Sequence, residues 1–479
     1  MGCIRNLQMG FIRNFRGLRI PRPQGLTFHL TYTILSAMLG MFQFGYNTGV
    51  INAPEKNIEK FFKDVYKERN LVDMTDEKAK IFYSVAVSIF AIGGMLGGFS
   101  GGSIADKFGR FFVIIFFFFN LIDNGREHCK VQGLNTSLVP MYISEIAPLN
   151  LRGGLGTVNQ LAVTLGLLIS QILGIEPILG TDEGWPVLLD FLVSTSLSYN
   201  IAQQFPELLG PEVPNETTSL ISQYQATIDA KQAKHKPTQY CQPCWACSSS
   251  GTIPVLSMPR KNPALRKLRA STQIEVDIEE MRVEQIAQQS ESKISMSELL
   301  CSSTLRKPLI IGIVMQLSQQ FSGINAVFYY STALFESSGL SEKTAKFTTI
   351  GIGAVMVTMT IISIPLMDRM GRRTLHLYGL GGMFIFSIFI TISLLIKEFF
   401  GFVQEMIDWM SYLSVISILG FVVFFAVGPG SIPWMITAEL FSQGPRPAAM
   451  SIAVLVNWIA NFVVGLGFPT LNVSRNLSQ

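Results

Sequence analysis

After a basic, polar start of about 26 residues, apolar runs of membrane-spanning length recur along the chain. A helix crossing a bilayer needs about 20 apolar residues, and the first such run covers roughly 28–50, ending in FGYNTGVINAP at 44–54. A loop of mixed charge follows. A second span lies near 80–104 and carries Gly93, Gly94, Gly97, Gly98, Gly101 and Gly102. Small residues of that kind let helices approach closely. The apolar run Phe111–Phe119 stops at Asn120, and 123–135 (DNGREHCKVQGLN) reads as too polar to lie in lipid. The pattern resumes at Ser137 and gives a span near 155–175; another start at Trp185-Pro186 deteriorates through Asp190 and Ser198–Gln204. Residues 205–307 are polar, and their last part, Ala264–Glu298, reads as a charged amphipathic helix. Cleaner spans follow near 308–335, 346–366, 374–396, 410–436 and 448–468, and the eleven residues after Phe468 are too few for another.

The pattern predicts an all-α integral membrane fold in four segments. These are a cytosolic N-terminus (1–27), an N-terminal transmembrane bundle (28–204), a cytosolic linker (205–307) and a C-terminal transmembrane bundle (308–479). Arg5, Arg13, Arg16, Arg19 and Arg22 precede the first acid, Glu55, which places the N-terminus in the cytoplasm by the positive-inside rule.

The polar residues inside the spans carry the chemistry. The stretch 316–335, QLSQQFSGINAVFYYSTALF, places Gln316, Gln319 and Gln320 at i, i+3 and i+4, on one helix face. Uncharged amides at membrane depth need partners, so they mark a bundle interior or a substrate path. Each amide both donates and accepts, which suits a neutral polyol such as a sugar. Ser322-Gly323 beside them allows the helix to loosen toward a cavity.

Composition narrows the choice. Of 479 residues, 48% are apolar and 15% charged, well below the quarter usual in soluble chains, and the net charge of +4 gives nucleic acid no support as a partner. Six scattered cysteines make no secreted disulfide framework. Cys241, Cys244 and Cys247 with His235 are the one zinc-like spacing, in a stretch without ordered context, so no metal or cofactor is expected. No cluster of His, Cys or acid falls on the apolar core, so an enzyme is not expected either.

Two motif pairs recur in order. Asp106-Lys107-Phe108-Gly109-Arg110 matches Asp368-Arg369-Met370-Gly371-Arg372-Arg373, and Glu145 with Arg152 matches Glu439 with Arg446. Such repetition implies a duplicated bundle, with basic turns whose arginines latch onto acids of neighbouring helices and release when the protein changes conformation. From Asp368 to Glu439 the chain runs 71 residues, enough for two spans, but from Asp106 to Glu145 only 39. The first half is therefore expected to lack part of its third helix and the start of its fourth.

With these residues in view the chain resembles a facilitative glucose transporter of the sugar-porter branch of the major facilitator superfamily, with insect members of the glucose class especially similar. The resemblance covers about 28–110, 134–188 and 264–470. It rests on FGYNTGVINAP, GxxxDKxGR, QLSQQxSGINAVFYYS, DRxGRRT, GPGxIPW (428–434), ELFSQGPRP (439–447) and NWxxNF (457–462). It implies two pseudo-symmetric six-helix bundles around one sugar site reached by alternating access, here with helices 3, 4 and 6 defective and helix 12 missing. It places sugar contacts on Gln160, Gln319, Gln320, Asn325, Trp434 and Asn457, with Phe425 nearby, and makes Gly428-Pro429-Gly430 and Pro433 a broken, gating tenth helix. QLS at 316–318 resembles glucose-selective members. Phe111 departs from the family's second arginine, and Met356 and Ala426 stand where many relatives carry Asn and Glu.

Proton-coupled relatives carry an acid where this chain has Asn47, which does not titrate. The expected activity is therefore passive uniport of a hexose, D-glucose first, by a multi-pass plasma-membrane protein whose partners are the sugar and the lipid bilayer. The competing readings are a sugar sensor that does not transport and a truncated, non-functional product.

Overall fold

The structure is a computed structural model and describes residues 28–108, 128–147, 151–181, 183–190, 294–400, 404–442 and 444–477. The described residues fold into helices: α1 (Phe28–Gly49), α2 (Glu55–Asn70), α3 (Asp76–Phe108), α4 (His128–Ile146), α5 (Arg152–Leu173), α6 (Trp185–Asp190) and α7 (Met296–Cys301). Then come α8 (Ser303–Phe321), α9 (Ile324–Ser337), α10 (Glu342–Met370), α11 (Arg372–Phe400), α12 (Gln404–Val427), α13 (Ile432–Glu439) and α14 (Arg446–Leu477). Six helical stretches among the described residues are long and apolar enough to cross a membrane: Asp76–Ile104, Arg152–Leu173, Glu342–Met370, Arg372–Ile396, Trp409–Glu439 and Arg446–Gly467.

Their outer faces are apolar. On α3, Ile81, Val85, Ile89, Ile92, Leu96 and Phe99 are exposed at steps of three or four residues, one continuous stripe. In water that stripe would be a liability; against hydrocarbon it is the matching surface. The opposite face carries Gly94, Gly98 and Gly102, each one turn from the next, and there α14 packs directly on α3. A Cβ on Gly94 would collide with the Trp458 indole, and one on Gly98 would meet Val454. The close approach lets the backbone N–H of Gly102 donate to Ser451 Oγ at 2.9 Å. Trp458 is fixed there by Phe44 and Phe90, edge-on at 5.5 and 5.6 Å, and by its Nε1–H donating to Thr136 Oγ1 at 3.2 Å.

Two readings gain detail. The mixed-charge loop after the first span contains a 16-residue helix, α2. Its polar face meets water, and it ends on Leu71 in the left-handed region (φ 57°), whose N–H returns to Lys67 O. The segment 123–135 is not uniformly excluded from the helical layer, because α4 begins at His128. Its polarity is real, but Gln132, Asn135, Thr136 and Ser137 point inward and are fully buried against neighbouring helices, not lipid. Thr136 and Ser137 donate to the carbonyls of Gly133 and Leu134, whereas both polar atoms of Gln132 and the Nδ2 of Asn135 have no partner among the described residues. The run 111–119, most of the segment 190–263, the cysteine trio, and residues 1–27 lie outside the described residues.

Candidate functional site

Two helices are interrupted side by side. The α8–α9 path breaks at Ser322-Gly323, where Gly323 takes φ 86°, a left-handed conformation that costs glycine little. The α12–α13 path breaks over Gly428-Pro429-Gly430-Ser431. Proline has no N–H to continue the ladder, and the break leaves the carbonyls of Pro429 and Gly430 without helical partners. Gln319 takes both: its Nε2 donates to Pro429 O at 2.8 Å and to Gly430 O at 3.0 Å.

Asn457 of α14 joins the glutamine face into one cluster. Its Nδ2 donates to Gln316 Oε1 at 2.8 Å and to Gln319 Oε1 at 3.0 Å, and its Oδ1 accepts from Gln320 Nε2 at 3.0 Å. Asn325 Nδ2 completes the chain by donating to Gln320 Oε1. The five amides are buried and uncharged. They satisfy one another while keeping spare capacity, and Gln316 Nε2 has no partner among the described residues. A hydroxyl-rich neutral molecule can exchange into such a cluster bond for bond.

The other expected residues take three different places. Gln160 of α5 is buried, with its carboxamide carbon 3.5 Å from where a Cβ on Gly430 would lie. Phe425 is buried beside it on α12 and packs edge-on against Phe328 of α9 at 6.0 Å. Trp434 lies on α13 in an apolar cluster with Met38, Met41, Leu155 and Ala162, away from the amide hub's hydrogen bonds.

At the arginine-rich end, Arg372 Nη2 meets Glu439 Oε1 at 3.0 Å, and Arg446 Nη1 meets Glu145 Oε1 at 3.7 Å. Arg446 thus pairs with the glutamate of the other repeat. Asp368 accepts the backbone N–H of Gly154, where α10 touches the start of α5. Arg369 and Arg373 are exposed, and Arg152 Nε has no partner among the described residues. Asp106 lies in α3, and Arg110 falls outside the described residues.

The opposite end carries ion pairs as well. Lys56 bridges Glu336 and Glu342, each at 2.9 Å, and Lys346 reaches Glu176 at 3.3 Å. The stronger link is a residue that sequence reading passed over. In a regular helix the N–H of Thr332 would donate to Phe328 O. Here Tyr330 leaves helical geometry (φ −129°, ψ 19°), and the side chain of Asn52 stands in the gap. Its Nδ2 donates to Phe328 O at 3.0 Å and to Ser331 Oγ at 2.6 Å, while its Oδ1 accepts from Thr332 N at 3.3 Å. A side chain inserted into the ladder is a recognised cause of a helix kink. Glu145–Arg446 at one end and Asn52 on α9 at the other thus join the two halves on either side of the buried amide hub.

The chain is similar to known proteins over nearly its whole length. The family model described as sugar (and other) transporter matches residues 33–122, 131–203 and 260–476. These ranges include parts of 111–136 and 190–204, beyond the stretches where the motifs alone carry the resemblance. The facilitated glucose transporter member 1 of Gallus gallus is 39% identical over 462 residues, covering 92% of this chain and 85% of that protein. Member 3 of Homo sapiens is 39% identical over 466 residues, covering 93% and 84%. Among solved structures, the proton:xylose symporter XylE bound to 6-bromo-6-deoxy-D-glucose superposes with a TM-score of 0.66 at 23% identity, covering 94% of this chain and 91% of that one. The fold is therefore that of the major facilitator superfamily, and the chain is a multi-pass membrane protein and not an enzyme. It belongs to the sugar transporter family.

Proposed function

We propose that the chain is a hexose uniporter, with D-glucose the first substrate, working by alternating access in the plasma membrane with its N-terminus in the cytoplasm. The observation that carries this reading is the hub in which Asn457 gathers Gln316, Gln319 and Gln320 at the junction of two broken helices. The ligands for the sugar hydroxyls are Gln160, Gln319, Gln320, Asn325 and Asn457, and the rings of Phe425 and Trp434 offer apolar faces to sugar C–H groups. The hub is neutral, so it holds a neutral molecule without a charge to desolvate.

The moving parts are the units 28–204 and 308–479, joined by 205–307. Release of Arg372–Glu439 and Glu145–Arg446 opens the cytoplasmic end, with Asp106, Arg110, Arg152, Asp368, Arg369 and Arg373 belonging to the same latch. Withdrawal of Asn52 from the α9 ladder opens the outer end. The names of the curated relatives support glucose, and α1 supports uniport, since its sequence from Phe28 to Gly49 contains no acid to carry a proton.

The test is uptake of labelled glucose and fructose into proteoliposomes, with and without a proton uncoupler. Glucose that equilibrates without concentrating, unaffected by the uncoupler, is the expected result. Accumulation above equilibrium that the uncoupler abolishes sinks uniport.

A further inference from the structure

Eleven residues beyond Gln160 on α5 stands a second glutamine, Gln171. Eleven residues are within about 20° of three full helical turns, so the two share a face, roughly 16 Å apart along the axis. Gln171 is 3% exposed, and neither its Oε1 nor its Nε2 has a hydrogen-bond partner among the described residues. An amide buried in that condition is costly, and a native site retaining one calls for an explanation. Gln171 borders a small cavity of about 10 Å³ together with Ala53, Gly174, Ile175, Thr332, Lys346 and Thr349. Beside the cavity the amide packs directly on α10 at Gly353, where any Cβ would collide with Gln171 Oε1, so the facing helix leaves room for it.

The cavity lies between the two halves, and its wall moves with the gate. Thr332 is the residue whose N–H Asn52 holds, and its hydroxyl meets that of Thr349 at 3.3 Å. When Asn52 withdraws, the rung closes within α9 and Thr332 shifts with it. The present volume admits a water-sized group, and parting of α9 from α5 enlarges it on the side away from the arginine latch.

We propose that Gln171, with Thr332 and Thr349, forms an outer hexose site three turns of α5 beyond Gln160, where a sugar docks before the gate closes. The inference rests on the hexose reading above. The amide supplies one acceptor and two donors in a plane, which matches neighbouring hydroxyls of a hexose. The threonines supply hydroxyls that both donate and accept, and the Lys346 ammonium adds a donor at the rim. The site contributes no chemistry; it raises the local population of sugar at the mouth of the path.

The experiment uses the full chain in proteoliposomes with Ala53→Cys as reporter, labelled from outside by a membrane-impermeant thiol reagent. D-glucose is expected to slow labelling at least threefold. The protection should persist when the central hub is broken by Asn457→Leu and disappear when Gln171→Leu is added. Protection lost with Asn457→Leu but kept with Gln171→Leu overturns the outer site, because it assigns the effect to the hub. Absence of labelling, or of protection, in every background also overturns it. Thermal stabilisation by D-glucose, measured on the same preparations, separates the two readings. If glucose stabilises the wild type while protection fails, only the outer site falls; if neither is seen, the hexose reading falls with it.

Discussion

Replacing Asn52 with alanine removes the carboxamide that fills the broken rung of α9. Three buried hydrogen bonds are lost, to Phe328 O, Ser331 Oγ and Thr332 N. At a net value of about 1 kcal/mol each, the closed outer gate loses about 3 kcal/mol. Straightening of α9 lets Thr332 N–H donate to Phe328 O again and recovers about 1 kcal/mol, so the net cost is about 2 kcal/mol. The open outer form makes that helical bond without Asn52 and loses nothing. The equilibrium should therefore shift toward it by roughly 30-fold, since 1.4 kcal/mol is a factor of ten. The reporter is Thr349→Cys, buried in the closed form and labelled from outside by an impermeant thiol reagent. Labelling of the double variant should be roughly 10- to 30-fold faster than with Asn52 intact. Asn52→Asp should act in the same direction, because an ionised carboxylate accepts from Thr332 but cannot donate to Phe328. A change below twofold, with the thermal midpoint preserved, would refute the reasoning.

Other expectations follow from single contacts. Burial, with Glu59 and Glu336 nearby, pushes the Glu55 carboxyl up from 4.5 to about 8, against the opposing pull of Lys80 and Lys56. The folded chain thus holds this proton more tightly than the unfolded one, so its stabilising contribution is full below about 4.5 and is lost as pH rises through about 8. Thermal midpoints should fall between pH 6 and 9 in the wild type and less steeply in Glu55→Gln; parallel curves would remove Glu55 as the cause. Gly94→Ala drives a Cβ into the pinned Trp458 indole and should cost about 1–3 kcal/mol, read as a lower thermal midpoint, with an unchanged midpoint contradicting it. Arg372 and Glu439 are partly exposed, so a double-mutant cycle on thermal unfolding should give a coupling of only about 0.5–1 kcal/mol. Full additivity would mean that the pair is not a latch.

Local chemistry made much of this legible in the sequence. Helical spacing alone puts Gln316, Gln319 and Gln320 on one face, and the structure binds all three to Asn457. Ser322-Gly323 and Gly428-Pro429-Gly430 announce their breaks because glycine tolerates left-handed backbone and proline cannot donate. Asn52 gave no such signal. Its partners lie 276 or more residues away, and a lone asparagine after an apolar run looks like a turn residue. For α4 the polarity is legible and its direction is not: hydropathy cannot tell a polar residue facing lipid from one facing another helix. The same limit hid Gln171, whose importance lies in lacking a partner. The arginine latch was legible as a motif, but the pairing of Arg446 with Glu145 across the repeats required three dimensions.

The central claim is that the amide hub receives the sugar, and Asn457 tests it most directly because it holds three glutamines at once. The measurement is thermal stabilisation of the detergent-solubilised chain by D-glucose and by L-glucose, in the wild type and in Asn457→Leu. D-glucose should raise the wild-type midpoint where L-glucose does not, and Asn457→Leu should remain folded but lose at least tenfold in apparent affinity. Equal stabilisation of both proteins by D-glucose, or none of the wild type, would contradict the account.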